Sequence, residues 1–251
     1  MRLILLLSAV AVALCGGAAA APVAPSQDAS GVIPIPRMKP PLPATRTTRS
    51  WPQGSSGWPA EAVAKNQSLC DGLLAGKDVT WSPLAPIGQS GGCGAAAPIE
   101  VSAIAGVSLE PSATITCALA VSLHSWITEA VQPAALRDLH TKITTIHTAS
   151  SYACRRRNNQ ASGKLSEHGR ANALDMAGFS FAKTKDVTVQ DGWGGLLRKL
   201  GLSKQGGFLT DIRKDGCRYF TTVLGPGADP YHGDHFHVDM LERRNGYRIC
   251  H

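Results

Sequence analysis

Two short stretches hold the residue types that do chemistry, Ser166 to Asp175 and His232 to His237. Together they contain four of the chain's eight histidines, with Glu167, Asp175 and Asp234 among them. A strand through the second stretch would alternate its side chains, so His235 and His237 would share one face. Two imidazoles flanked by Asp234 and Asp239 are a donor set that zinc uses readily. His168 adds an imidazole after a turn-prone run, and Asp175 follows where a strand should begin. We therefore expect the two stretches to meet at one metal ion. Two neutral imidazoles and one carboxylate around Zn2+ leave a position open for water, the catalytic rather than the structural arrangement. The metal would lower the pKa of that water from about 15.7 towards about 7, making hydroxide available at neutral pH. A surface patch of histidines, or one histidine held by hydrogen bonds, is the plainer alternative.

Short strands have to carry these residues. Lys142 to Tyr152 is rich in β-branched residues and reads as a strand. Leu174 to Phe181 alternates out of the first site stretch as a second. Phe220 to Leu224 is a third, stopped by Gly225, Pro226 and Gly227, and Phe236 to Met240 is a fourth. Ile99 to Ile104 alternates in the same way. Pro111 to Thr114 supplies helix-start chemistry, and Leu119, Leu123, Trp126, Ile127, Ala130 and Val131 follow at helical spacing, with Pro133 near the end or at a kink. Trp126 lies on that apolar stripe and belongs in a core; His124 lies off it and reads as a surface histidine. Leu196 to Leu200 reads as a short helix closed by Gly201, and propensity does not fold the rest of residues 183–218. The fold class that follows is α+β, a small, mostly antiparallel sheet packed with helices.

Compartment comes from the ends of the chain and its cysteines. Met1 and Arg2 precede an apolar run from Leu3 to Leu14, and Ala18 to Ala20 offers a small-residue cleavage site, so residues 1–20 read as a secretory signal. The run is shorter than the about 20 residues a membrane helix needs, so no transmembrane segment is expected in the mature chain. Cys15 suggests lipoprotein anchoring, but the bulky Leu14 before it speaks against that. Removing the signal leaves Cys70, Cys93, Cys117, Cys154, Cys217 and Cys250, an even set that implies disulfides in an exported chain. Cys70 with Cys93, the nearest pair in sequence, is the expected first bridge. Residues 21–65 are rich in Pro, Ser and Gly and read as a semi-rigid basic linker ahead of a folded domain at 66–251. The net charge of +7 suits anionic cell-envelope polymers. Nucleic acid is disfavoured, because the chain carries an export signal and no recognised binding motif.

Gly92 to Gly94, Ser151 to Arg155, Ser166 to His168, Ala173 to Asp175, Thr222 to Gly225 and Asp234 to Asp239 together resemble the bacterial extensin-like protein C-terminal domain, over about Gly91 to Cys250. The spacing of His168, Asp175, His235 and His237 is also similar to that of a zinc peptidase superfamily. Its members include D-Ala-D-Ala carboxypeptidases and dipeptidases, lysostaphin-type endopeptidases and the Hedgehog signalling domain. The resemblance implies a Hedgehog/D-Ala-D-Ala peptidase-like fold with His168, Asp175 and His237 as zinc ligands. It places His235 beside the metal, to polarise a carbonyl or hold an oxyanion. Arg155 stands where the carboxypeptidase relatives keep an arginine that orients substrate or steadies the tetrahedral intermediate; the plain alternative is a surface cation in a run of three. Those relatives carry a glutamate three residues before the last zinc histidine, where this chain has Asp234. The murein endopeptidases instead carry a histidine five residues before it, where this chain has His232. The general base is therefore Asp234 or His232, and the motif does not choose.

The function these features imply is an exported zinc peptidase of the periplasm or cell envelope, acting on peptidoglycan stem peptides or cross-links. The alternative is a non-catalytic zinc-binding module that recognises the wall or a partner.

Overall fold

A computed structural model describes residues 50–52, 57–88, 90–194 and 200–251. The expected signal, Cys15, most of the linker and the helix expected at 196–200 lie wholly or mainly outside them.

The first helix, α1 (Ala60–Leu74), starts ahead of Asn66, where order was expected to begin. Strands β1 (Val79–Pro83), β2 (Ile87–Gly88), β3 (Gly94–Ala95), β4 (Ile99–Ile104) and β5 (Val107–Ile115) follow. Next come α2 (Cys117–Trp126), a π-helical turn at Ile127–Val131, α3 (Gln132–Leu139) and β6 (Ile143–Ser150). Short 3-10 turns at Arg157–Asn159 and Glu167–Arg170 lead into β7 (Ala173–Phe181). The chain continues through β8 (Val187–Thr188), α4 (Val189–Trp193), α5 (Lys204–Gly216), β9 (Thr222–Leu224), β10 (Phe236–Asp239) and β11 (Ile249–Cys250).

One nine-stranded sheet runs in the order β1-β4-β5-β6-β7-β10-β9-β11, with β8 also on β7; β2 and β3 pair separately. Most neighbours are antiparallel, as expected, but β5 with β6 and β9 with β11 are parallel, so the sheet is mixed. The protein is α+β.

Pro111 does not start a helix. It sits inside β5, which pairs with β4 on one side and β6 on the other. The helix starts after Thr116, whose hydroxyl accepts a hydrogen bond from the Leu119 amide. Paired strands outweighed a local start signal, because both β5 edges gain ladder hydrogen bonds. Pro133 falls in the first turn of α3, and the Gln132 amide just before it reaches back to the Ile127 carbonyl. That π register lets the helix pass the proline, which has no N–H to give.

Trp126 is buried as expected, its indole N–H donating to the Ile212 carbonyl at 3.0 Å and its ring edge-on to Phe220. Phe208 on α5 packs edge-on between Phe179 and Phe181 of β7, so α5 covers the central strand. Neither this helix nor β1 was legible in advance.

The three disulfides join Cys70 to Cys117, Cys93 to Cys154 and Cys217 to Cys250, with Cα–Cα distances of 5.3, 5.7 and 6.0 Å. The expected Cys70–Cys93 bridge is therefore wrong. Cys70 on α1 lies against the first residue of α2, whereas Cys93 lies against the loop before Arg155; closeness in sequence does not set Cα distance. Among the described residues no helix is long and apolar enough to cross a membrane. The three bridges fit an oxidising compartment.

Candidate metal centre

The centre is built on the pairing of β7 with β10. Leu174 and Met176 of β7, and Phe236 and Val238 of β10, join the hydrophobic core. Alternation then turns Asp175, His237 and Asp239 to the opposite face. In the antiparallel register His237 lies directly across from Asp175. His168 comes from the 3-10 turn before β7. Ser166 caps that turn, its hydroxyl accepting from the His168 amide, and the Ala153 amide donates to the His168 carbonyl.

These elements bring His168, Asp175 and His237 together, all three buried, with one donor atom of each within 4.8 Å of the others. His237 Nδ1 is 2.8 Å from Asp175 Oδ1, His168 Nε2 is 3.1 Å from Asp175 Oδ2, and the two ring nitrogens are 3.2 Å apart.

The outer nitrogens decide which inner ones can bind a cation. His168 Nδ1 meets the Ser151 carbonyl, which can only accept, so Nδ1 carries a proton and Nε2 faces the centre with a lone pair. His237 Nε2 donates to Asp239 Oδ2 at 3.1 Å, which leaves Nδ1 facing inward. Two lone pairs and a carboxylate thus point into one space, and only a proton or a cation between them relieves the crowding. The three donors could hold a metal ion, with outer partners fixing both imidazoles.

The family model of the extensin-like protein C-terminus matches residues 68–251. The chain belongs to this family. No curated protein and no solved structure gives a significant match.

Electrostatics in the extensin-like domain follow from the same contacts. Burial disfavours the charge on His237, but hydrogen bonds to Asp175 and Asp239 outweigh it and push its pKa up to about 9. Burial also works against charge on Asp175, yet the hydrogen bonds of His168 and His237 hold its carboxyl well below the usual carboxylate range. Both statements describe one cation–anion contact seen from its two ends.

The other expected residues separate. Arg155 reaches Asp175 Oδ2 at 3.6 Å and His235 reaches Asp175 Oδ1 at 3.7 Å, so both stand at the rim of the centre. His232 is nearly buried, with its ring 5.6 Å from that of His237, and its Nδ1 donates to Asp229 Oδ1 at 2.7 Å. Its Nε2 is thereby left with a lone pair. Desolvation lowers the His232 pKa despite the pull of Asp229. Asp234 differs. Its side chain is 67 % exposed, and it accepts from His235 Nδ1 at 2.7 Å instead of turning inward.

His168, Asp175, His232, His235 and His237 open onto one cleft of about 390 Å³ that also takes in Arg155; Asp234 is not among its lining residues. Sequence reasoning missed Ser151 as a carbonyl partner, Asp229 behind His232 and the orienting role of Asp239. Only Asp239 had a signal, two residues beyond His237 and therefore on the same strand face.

Proposed function

We propose that this extensin-like domain is a zinc-dependent hydrolase of peptide amides that acts on peptidoglycan stem peptides or cross-links. The observation that carries the reading is the inward aim of His168 Nε2, Asp175 and His237 Nδ1 at the floor of an open cleft. The spacing likeness to zinc carboxypeptidases and murein endopeptidases supports it. Zinc, when bound, would acidify a water and polarise an amide carbonyl.

The chain's own groups have distinct tasks. His232 is the general base: its Nδ1 is tied to Asp229, and Nε2 is free to take a proton in the cleft. Asp234 is a positioning residue that fixes the tautomer of His235, leaving His235 Nε2 towards Asp175 and the carbonyl to be polarised. The Arg155 fork suits a substrate carboxylate or the alkoxide that develops on the attacked carbon. The apolar amino-terminal run and the basic linker would deliver the domain to the periplasm or envelope and keep it near anionic polymers.

Purified mature chain incubated with defined muropeptides, with and without a chelator, tests the reading. The expected result is one zinc per chain and a cleaved amide that is lost with the chelator and in His168→Ala. Equal cleavage by His168→Ala would overturn it. Stoichiometric zinc with no cleaved amide would favour the non-catalytic recognition module instead.

A further inference from the structure

The cleft has a second polar feature that the metal centre does not use. Cys154 is followed by three arginines, and extended backbone at Arg156 (φ −76°, ψ 164°) sends neighbouring side chains to opposite sides. Arg156 turns away from the cleft and donates to the Gly163 carbonyl, while its backbone bridges to Leu165. Arg155 and Arg157 both line the cleft. The two differ in how they are held. Arg155 is within 3.6 Å of Asp175. Arg157 is exposed, and among the described residues none accepts a hydrogen bond from its guanidinium or forms an ion pair with it.

The acids of the cleft are hydrogen-bonded by groups other than Arg157. Glu167 is held by Arg170 at 3.0 Å and Asn172 at 2.8 Å, Asp229 by His232, and Asp239 by His237. Arg243, the third arginine of the cleft, is committed to the Thr221 carbonyl and the Thr222 hydroxyl. Asn158 and Asn159 stand beside Arg157 on the cleft wall, both left-handed with φ of 54° and 53°. Asparagine tolerates that region better than most residues, and its amide adds hydrogen-bond donors to the rim.

We propose that Arg157, with Asn158 and Asn159, is an anion subsite of the cleft that selects peptides carrying a side-chain carboxylate. The inference rests on the proposed function only in taking the cleft as the place where a peptide lies. A guanidinium fork pairs with a carboxylate through two parallel hydrogen bonds, which an uncharged amide cannot reproduce.

Two peptides capped at both ends, Ac-Ala-Glu-Ala-NH2 and Ac-Ala-Gln-Ala-NH2, separate this subsite from any binding of a terminal carboxylate. Each is titrated calorimetrically into zinc-loaded mature chain, wild type, Arg157→Gln and the charge control Lys185→Gln. The wild type should bind the glutamate peptide about tenfold more tightly than its partner, the size of one charge-assisted contact. Arg157→Gln should bind both alike, and Lys185→Gln should keep the preference. Equal affinities in wild type, no binding of either peptide, a preference that survives Arg157→Gln, or one lost equally in Lys185→Gln would each overturn the subsite. Mass spectra of the same mixtures read hydrolysis separately. A preserved preference with intact peptides supports the subsite and leaves the hydrolase to the muropeptide assay, whereas cleavage of both peptides without preference supports the hydrolase and counts against the subsite.

Discussion

His237 lies directly across the sheet from Asp175, with its Nδ1 2.8 Å from Asp175 Oδ1, while its other ring nitrogen is held by Asp239 two residues along the same strand. The imidazole is clamped between two carboxylates on one face of a β-ladder, and the outer carboxylate sets which nitrogen looks inward.

Removing that outer clamp should weaken the metal without removing a ligand. Asp239→Asn keeps the shape and loses the charge, so zinc affinity should fall by about 10- to 100-fold. Competition with a chromophoric chelator measures it, and unchanged affinity would mean that Asp239 does not orient His237.

Protons and metal should compete at His237. In metal-free protein its pKa is raised to about 9 from the ordinary 6.5, so the folded form binds the proton more tightly than the unfolded chain does. That contribution to stability is complete below about 6.5 and is lost as pH rises through about 9. Melting temperature in a chelator should therefore fall across that window, beyond any drift of the zinc-loaded form. At pH 8, zinc binding should release a proton that calorimetry in buffers of different ionisation enthalpy detects.

The two candidate bases should separate kinetically. His232→Gln should lower kcat on a cleaved muropeptide by about 10²- to 10⁴-fold while zinc content stays intact. Asp234→Asn acts through His235 and should cost less. A larger loss for Asp234→Asn would return the base to the aspartate.

The Cys93–Cys154 bridge closes a loop of 61 residues immediately before Arg155. Replacing both cysteines by serine should cost about 4 kcal/mol by loop entropy, read from urea unfolding. Peptide mapping of the native protein should recover this pair, and never Cys70 with Cys93.

The site residues were legible before the fold because the chemistry constrains residue type and spacing together. His168, Asp175 and His237 stand out in a chain with eight histidines, whereas the alternation that places Asp239 on the face of His237 was read only for His235 and His237. The amphipathic stripe through Trp126 was readable because a helix stamps its period on its own sequence. Pro111 misled for the opposite reason: β5 is held by β4 and β6, and no local signal reports a partner strand. The same limit hid α5, β1 and the disulfide pairing.

By itself the sequence determined the kind of donors, the strand faces that carry them and the choice between two bases left open. Tertiary structure alone decided that His232, backed by Asp229, enters the cleft while Asp234 turns to solvent, and that a main-chain carbonyl at Ser151 fixes His168. Spacing along a chain records which way a side chain leaves its own strand. What that side chain meets depends on how other segments fold against it, whether Asp229 three positions from His232 or Asp175 at a separation of 62 from His237.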